Sequence, residues 1–360
     1  MKDIEKLNRY LCPPGNGVFT VHTAKENKES LHYVQFKTID PVEVEKIWKE
    51  ELNNYKATNL PILMGLCIDT GGGIQRGANW GPLFIREHIQ KSVGHPEYFD
   101  IGDVRVIPHL LHDKYLNEET IKSCQEALYD GEDLKVSGLS IAEEVCDILI
   151  SENKKVFSLG GDHSVSYPVV KSWIKGRRAA GKKVAVIHFD AHTDLMPKRL
   201  GIDICFASWA YHMIELLEKP SHLLQFGIRS SGQPKEHWES KLGVQQFWAS
   251  EFNSPHVEEK TLKYLKDEKI DEVYISFDID ALDAQYASST GTPEEDGLEP
   301  HKCIQLIEKI AEVCHVTGGD VVEVAPFVHS ALKSKLAPEP ETTVESASLI
   351  SRKILEVMSK

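Results

Sequence analysis

The chain has 360 residues, 41% of them hydrophobic, and carries a formal net charge of −14. That length fills one large core or two ordinary ones, and the acidic balance excludes the basic face that nucleic acid or an anionic membrane would need. The seven cysteines are odd in number and contain no C-x-x-C pair, which argues against a disulfide framework and for a reducing, cytoplasmic setting.

The chain opens MKDIEKLNRYLCPP, without the apolar stretch of a signal peptide, and no segment approaches the roughly 20 apolar residues that span a bilayer. Residues 1–59 are weakly patterned and are expected as an N-terminal extension, packed on the main domain or on a neighbouring subunit, or else as a short irregular lead-in. Residues 60–360 are expected as the main domain. Its first strand is predicted at Pro61–Cys67 and its second at Asp103–Ile107. Ile141, Val145, Ile148 and Leu149 then recur at the spacing of one helical face, with Glu143, Glu144 and Asp147 between them.

Lys155–Leu159 is the next apolar run, and Gly160-Gly161-Asp162-His163-Ser164 follows it. Val184–Phe189 leads into Asp190-Ala191-His192-Thr193-Asp194. Leu223–Phe226 is a further strand. Val273–Phe277 leads into Asp278-Ile279-Asp280, Cys303–Ile310 reads as a helix, Gly319–Val324 as a strand and Val344–Val357 as a helix. The strands are nearly continuous in hydrophobicity, as parallel strands buried on both faces are. Their alternation with helices predicts an α/β fold: three layers, α/β/α, with a mostly parallel central sheet.

The three polar strings sit at the carboxyl ends of strands, where open parallel sheets bind ligands. Side chains two apart on extended backbone share a face, so Asp190, His192 and Asp194 converge, as do Asp278 and Asp280. With His163 these make four carboxylates and two imidazoles, a donor set for two divalent metals side by side. The four negative charges balance two such ions, and a water between the ions would lose a proton near neutral pH. Without metal the four aspartates could not all ionise. A single D-x-H string is weak; three strings in matching contexts are not.

The strings G-G-D-H, D-A-H-T-D and S-F-D-I-D (Ser276–Asp280) resemble the motifs of the ureohydrolase superfamily, the arginase/agmatinase family. The likeness continues through Ala281-Leu282-Asp283, Gly291-Thr292-Pro293 and Glu323-Val324-Ala325-Pro326, and upstream through Gly77-Ala78 and Gly81-Pro82. It implies an arginase-like fold and two metal ions, manganese before nickel or cobalt. His163, Asp190, Asp194 and Asp278 would hold one ion, and Asp190, His192, Asp278 and Asp280 the other. Asp190 and Asp278 would bridge and so share in catalysis. Glu323 would receive a guanidinium or amidine in fork geometry, Thr292 would line the site, and Asp162 and Asp283 would orient histidines or loops. Relatives form trimers or hexamers, so a homotrimer or homohexamer is expected.

The chain departs from the family's pattern in two places. Arginases have Asn where Met196 stands, and an Asp in a stretch whose best match is Gly227–Ser231, including Ser230. The amino-acid end of arginine therefore has no evident grip. Cys205 aligns with the family's catalytic His, leaving it as a proton donor, a substrate contact or a small apolar filler. Trp209, Tyr211, Trp238 and Trp248 either narrow the pocket or pack the core. The expected activity is hydrolysis of a guanidino or amidino C–N bond, releasing urea from an agmatinase-like substrate rather than arginine. Formimidoylglutamate hydrolysis to formamide comes second. A catalytically silent family member serving as a binding subunit and a one-zinc deacetylase are the rivals.

Overall fold

A computed structural model describes residues 2–18, 22–71, 75–329 and 339–360. Among these, nine strands form one sheet: β1 (Leu11–Cys12), β2 (Ile62–Leu66), β3 (Phe99–Val104), β4 (Val156–Gly160), β5 (Val184–Phe189), β6 (Leu223–Phe226), β7 (Gln245–Phe247), β8 (Glu272–Asp278) and β9 (His315–Val322). Their order is β1-β3-β2-β4-β9-β8-β5-β6-β7. Only the edge pair β1–β3 is antiparallel; the other pairings are parallel.

The order explains where the site lies. The chain runs outward through β4, leaves for β5, and later fills the gap with β8 and β9. Four parallel strands, β4, β9, β8 and β5, thus bring their carboxyl ends side by side at a topological switch point.

Strand β5 shows why both faces must be covered. Val184 and Val186 join one apolar cluster with Ile141, Val145, Leu149 and Trp173. Ala185, Ile187 and Phe189 join the other with Leu265, Ile307, Ile350 and Ile354. The helices Gly138–Ser151 and Ser166–Ala179 cover the first face, and Pro255–Asp267, Pro300–Ala311 and Pro340–Met358 the second. Each fully buried Val, Leu, Ile or Phe contributes about 1.5–3 kcal/mol, so the sheet holds its strand ends on a well-packed base.

Strands β1 and β7 were not expected, and two expected strands have clearly different bounds. The second main-domain strand is Phe99–Val104, not Asp103–Ile107. Its charges are internal: the fully buried Arg86 pairs with Asp100 and Asp103, each at 2.8 Å, which hides the strand from an apolar pattern. Strand β9 spans His315–Val322 rather than Gly319–Val324, because Glu323 turns to φ +64° and ends it. Residues 3–10, 25–36 and 41–52 are helical. Leu7, Tyr10, Leu11, Val44, Trp48 and Leu52 join the first-face core, so this region covers the β3 edge.

Candidate metal centre

Each polar string turns sharply after its strand. After β4, Gly161 packs its backbone against Ile68, leaving no room for a side chain, and His163 swings over the sheet edge. After β5 and β9, Asp194 (φ +50°) and Glu323 (φ +64°) adopt left-handed backbone that non-glycine residues avoid. Such strain persists where surroundings over-determine it, commonly at functional sites.

The turns bring the residues of the three strings together. His163 Nδ1 lies 3.2 Å from Asp190 Oδ2, 3.2 Å from Asp194 Oδ2 and 3.1 Å from Asp278 Oδ2. His192 Nδ1 lies 3.4 Å from Asp190 Oδ1 and 3.1 Å from Asp280 Oδ2. Asp190 therefore stands between the two histidines, one oxygen toward each. All but His192 are buried.

Hydrogen bonds fix the carboxylates. Asp194 Oδ2 accepts from the Trp209 indole at 2.9 Å, and Asp280 Oδ2 accepts from Thr292 Oγ1 at 3.1 Å. Asp278 Oδ1 accepts from the Asp280 backbone at 2.9 Å. Asp190 Oδ1 accepts from the His192 backbone at 2.6 Å, and its Oδ2 bonds His188 Nε2 at 2.9 Å. His163 Nε2 contacts Ser276 Oγ at 3.0 Å, and that hydroxyl donates to the buried Asp320 at 2.8 Å. The His163 proton therefore belongs on Nε2, which leaves the Nδ1 lone pair facing three carboxylates.

The buried carboxylates and imidazoles shift one another strongly. Burial, then repulsion from Asp280 and Asp190, pushes the Asp278 carboxyl well above the usual carboxylate range. Burial and Asp190 likewise raise Asp194. Burial opposes the charge of His163, but Asp190, Asp194 and Asp278 override it and raise that imidazole well above its usual value. His192 is raised by Asp280 and Asp190 against the same opposition.

Two divalent ions fit this donor set. His163 Nδ1 is buried and makes no hydrogen bond. Ligand atoms held at about 2.1 Å from one ion at right angles lie about 3 Å apart, the spacing of Nδ1 and its three carboxylate neighbours. His163, Asp190 and Asp194 form one group, joined by His188, and Asp190, His192 and Asp280 a second; within each group the donor atoms lie within 4.8 Å of one another. Asp190 belongs to both.

A cavity of about 490 Å³ opens above these residues. Glu323 stands in its wall, with Oε1 accepting from the His163 backbone at 2.9 Å. Burial, then Asp278 and Asp162, raises its carboxyl well above the usual range. Thr292, Met196 and Ser230 line the cavity too, with Trp238, Phe206 and Arg199. Cys205 is not among the lining residues. Its Sγ turns to Ser208 Oγ at 3.3 Å and the Ile202 carbonyl at 3.9 Å, so it shapes the loop while Phe206 and Ala207 face the cavity. Asp162 binds the Thr70 and Ser164 backbones, and Asp283 binds those of Gln285 and Gly297. Both order loops.

Sequence reasoning missed four contributors. His188 was hidden as one polar residue in an apolar strand. Arg229 reads as a loop cation, yet it binds the Asp280, Glu294 and Glu295 carbonyls at 2.7, 3.0 and 2.8 Å and pins the loops around Asp280. Glu294 stands 3.5 Å from His192 Nε2. Arg199 reaches the cavity mouth over the Phe206 ring, 5.1 Å from its centroid.

Comparison with known proteins agrees with this architecture. Residues 60–354 match the model of the arginase family. The chain is 29% identical over 306 residues to an agmatinase of Bacillus subtilis (strain 168), covering 82% of this chain and 90% of the relative. It is 35% identical over 266 residues to an agmatinase of Neisseria meningitidis serogroup C, covering 74% and 79%. The solved structure of formimidoylglutamase from Bacillus subtilis superposes with a TM-score of 0.66 at 21% identity, covering 84% of this chain and 88% of that one.

Proposed function

This chain belongs to the arginase family, and on that premise we propose that it is a binuclear metal hydrolase of a guanidino or amidino C–N bond. The observation that carries the reading is the convergence of His163, Asp190, His192, Asp194, Asp278 and Asp280 beneath a cavity walled by Glu323.

His163, Asp190, Asp194 and Asp278 would hold one ion and Asp190, His192, Asp278 and Asp280 the other, with manganese ahead of nickel and cobalt. When bound, the ions neutralise the four aspartates and make a water acidic enough to attack near neutral pH. The protein's own part is positional. Glu323 offers a carboxylate to the planar substrate cation, whose N–H groups match it in a fork, and so directs the central carbon toward the aspartates. Trp209, Thr292 and the His192 backbone keep those aspartates from turning. A catalytic role for Cys205 would need its Sγ to leave Ser208.

Agmatinase-like release of urea from a guanidino compound is the leading reading. Arginine fits poorly, because Ser230 offers its α-ammonium no negative charge and Met196 offers its α-carboxylate no hydrogen bond. A specific observation favours a second reading, a substrate whose far end is a carboxylate: a guanidino acid, or formimidoylglutamate. Arg199 brings a cation to the cavity mouth, where it lies over the Phe206 ring. An anionic tail would gain that partner, whereas the ammonium of agmatine would face a like charge.

A homotrimer or homohexamer and a cytoplasmic location complete the proposal. All seven cysteines are free, and no described helix is long and apolar enough to cross a membrane. The test is a panel of guanidino and formimino compounds on metal-reconstituted protein, reading urea and formamide separately. Bound metal with no product from any of them would favour the binding-subunit alternative; one metal per chain would favour the deacetylase type.

A further inference from the structure

One row of side chains beneath the site lies outside the mechanism above. His188 on β5, Gln225 on β6 and Gln246 on β7 are adjacent in register across three parallel strands. All three are buried: 0%, 0% and 1% exposed. Trp248, just past β7, continues the row. Buried amides and imidazoles cost stability unless satisfied, and here each is.

The direction of the hydrogen bonds follows from the two ends. An indole N–H can only donate, and Trp248 Nε1 is 2.9 Å from Gln246 Oε1. That places the Gln246 amide nitrogen toward Gln225, whose Oε1 accepts it at 2.8 Å. A backbone carbonyl can only accept, and Gln225 Nε2 donates to the Thr193 carbonyl at 2.6 Å. Both ends therefore demand the same orientation of Gln225. Its Nε2 also meets His188 Nδ1 at 2.9 Å, so that ring nitrogen must accept. The proton then sits on His188 Nε2, which donates to Asp190 Oδ2 at 2.9 Å. Edge contacts with His163 and Trp209, with ring centroids 5.1 and 4.8 Å away, hold the ring plane.

We propose that Gln246, Gln225 and His188 form a hydrogen-bond chain of fixed polarity that locks His188 as the neutral Nε2–H tautomer. So locked, His188 has no lone pair to give a metal, although its ring stands beside His163, Asp190 and Asp194. It is a positioning residue: its hydrogen bond fixes the rotation of the Asp190 carboxylate between the two histidines. The consequence at the metals rests on the two-ion reading; the tautomer does not.

The experiment pairs ¹⁵N NMR of the histidine side chains, in metal-free and zinc-loaded protein, with competition titrations of Mn²⁺ against a chelator. The chain predicts that His188 shows an unprotonated, hydrogen-bonded Nδ1 and a protonated Nε2 in both forms. Gln225→Leu should abolish the hydrogen-bonded Nδ1 signature and weaken Mn²⁺ binding about 10- to 100-fold, the usual cost of losing an outer-shell partner. A His188 proton on Nδ1, or a zinc-shifted His188 nitrogen, would overturn the proposal, and the unsubstituted protein alone decides that point should the variant not fold. A folded Gln225→Leu protein with unchanged Mn²⁺ affinity would overturn the positioning role. Failure of the protein to bind any metal, with the tautomer as stated, would instead overturn the two-ion reading.

Discussion

Glu323 and His163 hold each other across the end of two neighbouring strands: Glu323 Oε1 accepts from the His163 backbone at 2.9 Å, and the Glu323 backbone donates to Gly161 at 2.7 Å. The residue that would receive the substrate cation and the loop that carries a metal ligand are thus one unit. Glu323→Gln keeps an oxygen for the His163 N–H but removes the charge. It should keep the metal content and lower kcat/KM by about 10- to 100-fold, the size of a lost charge-assisted pair. Metal analysis beside kinetics checks this; activity lost only in step with metal would contradict it.

Arg199 sets a second expectation. If the substrate tail is anionic, Arg199→Glu should lower kcat/KM for 4-guanidinobutyrate by about tenfold relative to agmatine and act mainly through KM, because the group lies at the mouth and not at the reacting carbon. The ratio of the two kcat/KM values is the measurement. A ratio that Arg199→Glu leaves unchanged would contradict the anionic-tail reading.

Gly161 has no room for a side chain. A Cβ there would stand 1.7 Å from the Ile68 carbonyl oxygen, which is backbone and cannot step aside. Gly161→Ala should displace the His163 turn, with loss of metal affinity and a Tm lowered by several degrees. Calorimetry with and without metal would show it; a variant with native Tm and native metal binding would not fit.

Metal binding should release protons. Burial and neighbouring carboxylates raise Asp194, Asp278 and Glu323, so in the metal-free fold they keep protons to higher pH than free carboxyls. His163 and His192 are raised as well, their carboxylate neighbours outweighing burial. Asp190 is lowered: burial opposes ionisation, but His163, His188 and His192 prevail. A raised group must lose its proton before it can bind a cation, so affinity should climb as pH rises toward those values. The sign for the metal-free fold is the reverse: ionising raised carboxyls costs stability as pH increases. Titration calorimetry in two buffers of different protonation enthalpy reads the protons directly, and a buffer-independent heat would contradict the assignment.

The candidate metal centre was legible because the residues that would hold the ions are local strings after apolar runs. Val184–Phe189 is continuous in hydrophobicity, and its bounds are those of β5. What escaped depends on register between strands distant in sequence. Nothing in the sequence aligns His188 with Gln225 and Gln246, or places Asp320 behind Ser276. Asp100 and Asp103 disguised β3 because their partner, Arg86, comes from a helix. Cys205 was expected at the position of a catalytic His, yet its thiol meets Ser208 and Phe206 lines the cavity, a matter of backbone rotation that residue type does not encode.

On the proposed mechanism, two ions held by six residues of this chain would drive hydrolysis of a guanidino or amidino C–N bond. Titrating metal-free protein with Mn²⁺ while following urea and formamide release over the guanidino and formimino panel tests it most directly. The account predicts product from at least one compound, with activity that saturates at two ions per chain. Saturation at one ion, or a fully loaded protein with no product from any compound, would contradict it.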